Sequence, residues 1–240
     1  MKTLTIVIPA FNEAASLPRL LESVMSVDTE RVGFRKEVIV VNDGSTDDTE
    51  AIAQSTAGVV CISTPNRGKG AAVQTGVSAA KGDAILVQDA DLEYDPADYI
   101  PMLEAFGTDC KVAVYGSRIL GEQAKQGSSF FPGKHPDQHF GAWVANRVLS
   151  LWAVLLYGKW ITDLLTGYKV YPLEFLRRIK VKTKGFEADH EMTAKLIRSG
   201  VKIVEVPVSY RPRSKEEGKK ITAMDGLIAL WTLLRFRFSV

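Results

Sequence analysis

Four acidic residues crowd the end of one apolar run. They lie within AILVQDADLEYDP, residues 84–96, and are Asp89, Asp91, Glu93 and Asp95. Carboxylates this close repel one another unless a cation neutralises them. Asp89 and Asp91, separated by the small Ala90, can present hard oxygen ligands to Mg²⁺ or Mn²⁺, ions that also bridge phosphates. An isolated pair of this kind is more typical of a turn or a helix cap, so the neighbouring residues must decide between the two interpretations.

Polar residues follow each of five predicted strands, which span residues 4–9, 37–41, 59–62, 84–88 and 112–115. In a parallel α/β sheet, ligands bind beyond the carboxyl ends of the strands. The residues found there are Asn12 and Glu13, Asn42 and Asp43, the run NRGKG with Lys69, the pair Asp89 and Asp91, and Arg118. Acids and bases at five strand ends predict one site for a charged ligand that carries a metal.

The elements that must position these residues alternate along the chain. Amphipathic stretches at 13–27, 47–57, 70–80 and 97–106 separate the apolar runs, a pattern typical of an α/β fold. Because the runs are continuous in Val, Ile and Leu, we expect a mostly parallel central sheet flanked by helices. No linker divides the chain, so we expect a single domain over residues 1–240.

The second half is less regular. We predict a long loop over residues 120–138, helices at 140–157 and 190–199, and a strand at 201–210. Pro207 favours an edge position for that strand. Residues 221–240 form a further amphipathic pattern.

Some motifs have plain structural interpretations. NRGKG lacks the Ser or Thr of a P-loop, although its glycines allow close backbone approach to an anion at a helix start. Ser45, Thr46 and Asp47 are typical of helix capping, and Asp95 before Pro96 is expected to belong to the turn at a helix start.

Composition excludes some classes of function. The net charge of +2 over 240 residues gives no argument for nucleic-acid binding. Cys61 and Cys110 are expected to be small core residues of strands in a reducing compartment, and His135, His139 and His190 to be loop or surface residues. No signal peptide and no apolar run of about 18 residues are visible, so we expect a soluble or peripheral protein on the cytoplasmic side.

Six motifs occur together in order: VIPAFNE, VNDGSTDDT, NRGKGAAVQTG, DADLEY, GSR and TGYKVY. With them the chain resembles glycosyltransferase family 2, and within it the polyprenyl-phosphate (dolichyl-phosphate mannose synthase-like) hexosyltransferases. The resemblance covers nearly the whole chain. It implies a GT-A fold, an inverting mechanism and a nucleotide-sugar donor held through Mg²⁺ or Mn²⁺. It divides the chain into a nucleotide-sugar-binding part (1–118), an acceptor-side part (119–220) and a C-terminal amphipathic helix (221–240).

The resemblance also implies roles for individual residues. Pro9, Ala10 and Glu13 would line the nucleoside pocket, and Asp43 would recognise the base. Asp89, Ala90 and Asp91 would hold the diphosphate and the metal, with Lys69 opposite them. Glu93 stands where close relatives often have Gln as a further metal ligand. Basic residues would complete the donor site: Arg118, Arg211, and Lys219 within residues 214–220.

The acceptor decides which further groups the reaction needs. A lipid monophosphate is already an anionic nucleophile and needs cationic positioning, for which Arg118 and Arg147 are candidates. A sugar hydroxyl needs a carboxylate base, and Asp189 is then the first candidate. Second choices for the base are Glu187, Glu191 and Asp163. The absence of Q-x-x-R-W in the sequence argues against a processive synthase.

Three hypotheses follow. The leading one is a non-processive transfer of one hexose, from a donor of the GDP-mannose or UDP-glucose type, to polyprenyl phosphate. The alternatives are transfer to a saccharide hydroxyl and a non-catalytic nucleotide-binding protein. The apolar stretches at 140–157 and 221–238 carry Trp and Arg together, which suits peripheral contact with a membrane. Core helices, another subunit or a membrane-protein partner explain the same pattern.

Overall fold

The computed structural model describes residues 1–126, 132–136, 140–179, 181–183, 185–212 and 223–239. The strands are β1 Lys2–Ala10, β2 Phe34–Asn42, β3 Val59–Ser63, β4 Ala84–Val87, β5 Val112–Ser117, β6 Lys169–Pro172 and β7 Lys202–Pro207. The α-helices are α1 Leu17–Ser26, α2 Thr49–Ser55, α3 Lys69–Ala79, α4 Tyr99–Phe106, α5 Arg118–Gln126, α6 Phe140–Tyr157, α7 Leu173–Arg178, α8 Ala188–Arg198 and α9 Ala223–Phe238. Short 3-10 turns lie at Glu30–Val32 and Pro96–Asp98.

The strands form one sheet in the order β3-β2-β1-β4-β6-β5-β7. Parallel pairs join β1 to β2 and β4, β2 to β3, and β5 to β7. β6 runs antiparallel to both of its neighbours, β4 and β5. The predicted α/β class with a mostly parallel sheet is therefore confirmed. β7, which ends at Pro207, is an edge strand as predicted.

The sheet separates two apolar cores. Leu4, Ile6 and Ile8 of β1 face the core that contains α1 and α4, whereas Val7 faces the core that contains α6, α8 and α9. Successive side chains of a strand point to opposite faces, so a strand of continuous Val, Ile and Leu requires helices on both. This is the physical reason why the apolar runs predicted the layered architecture.

Part of the predicted loop at 120–138 is wrong. Residues up to Gln126 continue α5, which begins directly after β5. A Cβ at Gly121 would lie 2.1 Å from the Val208 carbonyl oxygen, so this glycine lets α5 approach the chain beyond β7. Its presence therefore reflects close packing, although in sequence it suggests a loop.

The short elements β6 and α7 were not predicted. KVYP offers only four residues, too few for a clear periodic signal, and it starts with a lysine. Its place in the sheet comes from pairing, since Leu86 of β4 and Val114 of β5 both face Val170. Tertiary contacts, which single-sequence patterns do not contain, therefore determine this strand.

Two predictions about single residues are wrong and one is only partly right. Cys110 lies in the turn before β5 with φ 54°, and Cys61 of β3 is half-buried instead of a core residue. His190 is buried in α8 instead of lying on the surface, whereas His135 does lie in a loop segment. His139 is outside the described residues.

Helices α6 and α9 pack against each other through side chains that reach main-chain carbonyls. Trp152 Nε1 donates to Leu230 O at 3.1 Å, and Tyr157 Oη donates to Leu233 O at 2.6 Å. Within the described ranges, α6 is the one helix long and apolar enough to cross a membrane by length and composition, so the expectation that no such run exists is wrong. Only 22% of this 18-residue helix is buried inside the protein, so α6 is not an ordinary core helix.

The burial of His190 makes the stability of the fold depend on pH. Burial and, to a smaller extent, the Lys169 charge lower the pKa of His190 to about 4, and Asp189 acts against this shift. The unfolded chain takes up this proton below about pH 6.5, so stability is lost as the pH falls from about 6.5 towards 4. From pH 7.5 to 5 we expect the parent to lose about 2 kcal/mol more unfolding free energy than His190→Gln. Urea denaturation at both pH values measures this, and equal losses would contradict a buried neutral His190.

Candidate active site

The loops after β1 and β2 hold each other at the rim of the sheet. Asn12, which has a positive φ of 55°, donates its backbone N–H to Ser45 Oγ at 3.0 Å. Its Oδ1 accepts from the Thr46 N–H at 2.8 Å. The Glu13 N–H donates to Thr49 Oγ1 at 2.8 Å, and the Asp43 N–H donates to the carbonyl of the buried Ala10 at 2.9 Å. Three of the four residues assigned to the nucleoside and base, Ala10, Glu13 and Asp43, thus belong to one hydrogen-bonded rim, with Pro9 in β1 directly before Ala10.

Asp43 anchors the NRGKG loop. Its Oδ1 accepts from the Arg67 N–H at 2.9 Å, and its Oδ2 accepts from the Gly68 N–H at 2.8 Å. Gly68 has φ 91° and directly precedes α3, so the carboxylate fixes the turn that starts the helix. Asp43 therefore has a structural task, and that task aims the amino end of α3 at the site.

Lys69 and Asp89 form the centre of the site. Lys69 begins α3, and its Nζ lies 2.6 Å from Asp89 Oδ1, with both side chains about a quarter exposed, at 25% and 22%. Burial lowers the pKa of Lys69, but Asp89, Asp189 and Asp91 outweigh burial and raise it. The ammonium is therefore held in its charged form between carboxylates.

The acids after β4 have different tasks. Asp91 Oδ1 accepts from the Glu93 N–H at 3.1 Å across Leu92, which has a positive φ of 61°. Such a conformation is costly for leucine and indicates that the surrounding contacts hold this turn. Asp95 accepts from the Ala97 N–H at 2.9 Å and caps the turn at Pro96–Asp98, so its predicted structural role is confirmed.

A bridge pairs the DADLEY segment with the chain beyond β7. Tyr94 and Tyr210 form an isolated antiparallel bridge, and the Tyr210 hydroxyl donates to Glu93 Oε2 at 2.9 Å. The Arg211 N–H donates to Glu93 O at 2.9 Å, which brings Arg211 beside the acidic loop. Lys219 and the rest of residues 214–220 lie outside the described residues.

Arg118 is paired with a buried carboxylate. Its Nε and Nη2 donate to Asp163 Oδ2 and Oδ1 at 2.7 and 2.9 Å, and its backbone N–H donates to Asp163 Oδ2 at 3.0 Å. Burial lowers the pKa of Arg118, but Asp163 outweighs it and the pKa lies well above its usual value. The guanidinium also lies 4.9 Å from the Tyr210 ring centroid. Asp163, a second-choice base in the sequence analysis, is thus fully buried and engaged.

The carboxylates at the start of α8 differ from one another. Asp189 lies in the first turn, its side chain 28% exposed, with Oδ2 3.4 Å from Lys169 Nζ. Glu191 is fully buried and accepts hydrogen bonds from Lys182, Thr183 and Lys195, which makes it a structural residue instead of a base. Glu187 accepts from the Gly185 N–H at 3.3 Å.

Arg147 lies on α6 against the 132–136 segment. Its Nη2 donates to Pro132 O at 2.9 Å, and its guanidinium is 5.4 Å from the Trp143 ring. Its neighbour Asn146 donates to Thr162 O at 3.1 Å, so α6 also positions the segment that carries Asp163. Arg147 thus contacts Pro132 and Trp143 on the side of α6, away from Asp89.

The carboxylate oxygens at the rim fit a divalent ion whose coordination shell is completed by oxygens of a bound substrate. Within the part of the chain that the structure describes, no three His, Cys, Asp or Glu side chains converge as a metal cluster, so Glu93 does not complete a three-residue set. Asp89 and Asp91 supply hard oxygens on one turn. A Cβ at Gly167 would lie 2.9 Å from Asp89 Oδ2, so this glycine keeps one side of the carboxylate open. Two carboxylates plus substrate phosphates and water are the usual surroundings of Mg²⁺.

Sequence reasoning missed the residues that lead into β6. Gly167 donates its N–H to Tyr94 Oη at 3.2 Å, and Lys169 lies beneath Asp189. The motif TGYKVY contains both residues, but no spacing rule ties it to Asp89 or Asp189. The lysine inside an otherwise apolar run was the one available signal.

A mostly parallel sheet with paired acids after β4 and a lysine at the opposing helix start is the arrangement of a GT-A fold. A solved structure supports the fold: glucosyl-3-phosphoglycerate synthase from Mycobacterium tuberculosis with Mn²⁺, UDP and phosphoglyceric acid matches with a TM-score of 0.68 at 21% identity. That match covers 99% of this chain and 79% of the other. The family model for glycosyl transferase family 2 matches residues 5–131, and the chain belongs to this family.

Two curated relatives that match this chain are named as sugar transferases, one of them for a polyprenyl phosphate. Undecaprenyl-phosphate mannosyltransferase of Micrococcus luteus is 30% identical over 266 residues, covering 100% of both chains. The low-salt glycan biosynthesis hexosyltransferase Agl6 of Haloferax volcanii is 28% identical over 214 residues, covering 89% of this chain. The match spans 49% of the Agl6 length, about half of that protein. The resemblance to the polyprenyl-phosphate subgroup is thereby confirmed.

The buried Arg118–Asp163 pair gives a stability prediction. Asp163→Asn leaves the guanidinium without its carboxylate, and we expect the free energy of unfolding to fall by about 3–5 kcal/mol in urea denaturation. The double substitution R118M/D163N removes both charges and should recover most of that loss. An Asp163→Asn protein as stable as the parent would contradict the pair as described.

Proposed function

We propose that this family 2 glycosyltransferase transfers one hexose from a nucleoside diphosphate sugar to a polyprenyl phosphate, without processivity and with inversion at the sugar. The observation that carries the proposal is the meeting of Lys69, at the start of α3, with Asp89 and Asp91 after β4. This arrangement suits a diphosphate, since a cation, a helix amino end and a carboxylate-bound divalent ion all favour phosphate oxygens. Because β6 and β7 share the sheet with β1–β5, we treat the chain as one catalytic unit.

The donor site would use the hydrogen-bonded rim. Pro9, Ala10 and Glu13 would line the nucleoside pocket, and Asp43 would contact the base or hold the NRGKG loop against it. The engagement of both Asp43 oxygens by the Arg67 and Gly68 N–H groups supports the second of these tasks. The name of the Mycobacterium tuberculosis structure, which contains UDP, supports a nucleotide donor.

Asp89 and Asp91 would hold Mg²⁺ or Mn²⁺ together with the diphosphate. When bound, the ion would neutralise the negative charge that develops on the leaving nucleoside diphosphate. Lys69 would supply the same kind of stabilisation from the protein itself. Arg211, tied to Glu93 through its backbone, would close the other side of the diphosphate. Lys219 is proposed for that side from the resemblance alone.

The bonding changes need no proton transfer. A phosphate oxygen of the acceptor attacks the anomeric carbon opposite the diphosphate, the new C–O bond forms, and the old one breaks. The nucleoside diphosphate leaves with the bonding electrons. A phosphate acceptor is already ionised near pH 7, so it requires cations instead of a base; Arg118 and Arg147 are the candidates. The name of the Micrococcus luteus relative supports a polyprenyl-phosphate acceptor.

The exposed face of α6 and α9 supports peripheral contact with a membrane. On α6, Val144, Val148, Leu151 and Leu155 are exposed at helical spacing. On α9, the exposed apolar residues are Met224, Leu227, Ile228, Trp231 and Phe238. Arg235 lies in the same stripe as Trp231 and Phe238. Apolar, aromatic and basic residues on one surface suit a bilayer with anionic lipids, so we propose action at the cytoplasmic face of the membrane.

The acidic pair is tested by Asp91→Asn. Loss of this carboxylate should lower sugar transfer to polyprenyl phosphate by on the order of 100-fold with Mn²⁺ or Mg²⁺ present, because the donor diphosphate loses its charge balance. Transfer of radiolabelled hexose to the lipid measures this. The matched control is Asp95→Asn, which removes only a cap and should keep the transfer rate. Equal rates in the parent and Asp91→Asn would refute the donor site, and absence of transfer from every nucleotide sugar in the parent would refute the function.

The membrane contact is tested by Trp231→Glu in co-sedimentation with vesicles. Binding to vesicles that contain phosphatidylglycerol should weaken by about tenfold or more, because burial of a large apolar side chain in the interface is lost. Val60→Glu is the matched control, since Val60 is an exposed apolar residue on the edge strand β3. Unchanged binding by Trp231→Glu would contradict the assignment, as would a parent that binds no vesicles and forms dimers through this face.

A further inference from the structure

Lys169 is a charged residue in the interior of the sheet. It begins β6, between β4 and β5, and is fully buried. Its Nζ makes no hydrogen bond among the described residues. Lysine is rarely buried in this way because its charge loses the solvation of water. A methionine of similar volume would fill the same space without that cost, so packing alone does not account for a lysine here.

One carboxylate and one aromatic ring are the nearest partners of the Lys169 ammonium. Asp189 Oδ2 lies 3.4 Å away, and the centroid of the Tyr115 ring lies 4.8 Å away. Burial lowers the pKa of Lys169 below its usual value, and the Lys69 charge adds to this shift. The carboxylates of Asp189 and Asp163 act against it. Asp189 is therefore the group that mainly compensates the buried ammonium.

Asp189 also faces the donor site. It lines the same recess as Lys69, and its charge raises the pKa of Lys69. Lys69 in turn contacts Asp89 at 2.6 Å. The four side chains thus form a series of alternating charges, Asp89, Lys69, Asp189 and Lys169, that runs from the acidic loop into the sheet.

We propose that Lys169 is a positioning residue for sugar transfer: its ion pair fixes the Asp189 carboxylate beside Lys69 and thereby sets the place of the Lys69 ammonium at the diphosphate. This inference rests on the proposed donor site. It assigns Asp189 the task of an anionic anchor between two lysines. If Asp189 took up a proton as a general base, Lys169 would be left as an unpaired charge in the sheet. The series therefore favours an acceptor that needs no base.

The first test is Lys169→Met. Because the substitution removes a buried charge, the free energy of unfolding should stay equal to that of the parent or rise. The kcat for transfer should fall by about tenfold or more, while the KM for the donor changes by less than about twofold. A purely structural lysine would not separate stability from kcat in this way.

Lys36→Met is the matched control. Lys36 is also partly buried, and its Nζ donates to the carbonyls of Val24, Met25 and Val27 at 2.9, 2.7 and 2.6 Å at the end of α1. Its replacement should lower the free energy of unfolding, because three carbonyl acceptors lose their donor, and leave the kcat of the folded protein unchanged. The two lysines should therefore show opposite patterns.

The second test is a double-mutant cycle with Asp189→Asn. If Lys169 acts through Asp189, adding Lys169→Met to the D189N protein should change kcat by less than about twofold. Full kcat in Lys169→Met, or an equal loss in both backgrounds, would overturn the inference. A parent that transfers sugar to no polyprenyl phosphate rejects the proposed acceptor instead. In that case the same cycle is measured on the rate of nucleotide-sugar hydrolysis and on the free energy of unfolding. Coupling between Lys169 and Asp189 in both quantities supports the inference. Additive effects of the two substitutions in either quantity overturn it.

Discussion

The reversed direction of β6 is the constraint on which the site depends. β4 and β5 run parallel to each other, and β6 lies antiparallel between them. The residues that enter β6 therefore meet the rim where β4 and β5 end. Gly167 thus reaches the Asp89 carboxylate, and Asp163 reaches the Arg118 guanidinium. A parallel strand in this place would present its carboxyl end there and would carry these residues to the opposite edge.

Charge balance explains why so many ionised groups can lie close together in one small region. Lys69 lies against Asp89, Arg118 against Asp163, and Lys169 near Asp189, so each cation has a carboxylate partner. In surroundings of low dielectric constant these pairs interact more strongly than on the surface, and loss of one partner leaves a costly unpaired charge. The repulsion expected among the acids after β4 is thus partly relieved by lysine in the protein. A bound ion and a diphosphate would complete the balance.

Regular elements were predictable because their signals are local. The five apolar runs of the first half became β1 to β5, the helix predicted at 140–157 became α6, and the Asp95 cap is present. Most of α5 falls in the predicted loop because residues 120–138 are rich in Gly, Ser, Gln and Pro, whereas Gly121 in fact allows contact with Val208. His190 gave no sign of its burial, since the faces of α8 are set by the sheet beneath it. Short β6 carried too few residues for any period to be recognised.

The sequence by itself determined the family, the α/β class and the rim on which Asp89, Asp91 and Lys69 meet. These features can be recognised without the structure because the ends of the strands and the order of the motifs are local properties of the sequence. Only the tertiary structure decided how the remaining charges are used. It engaged Asp163 and Glu191 in buried contacts and placed Lys169 beneath Asp189. The reason is physical: a carboxylate is available for chemistry only when its neighbours leave its oxygens free, and those neighbours come from distant parts of the chain.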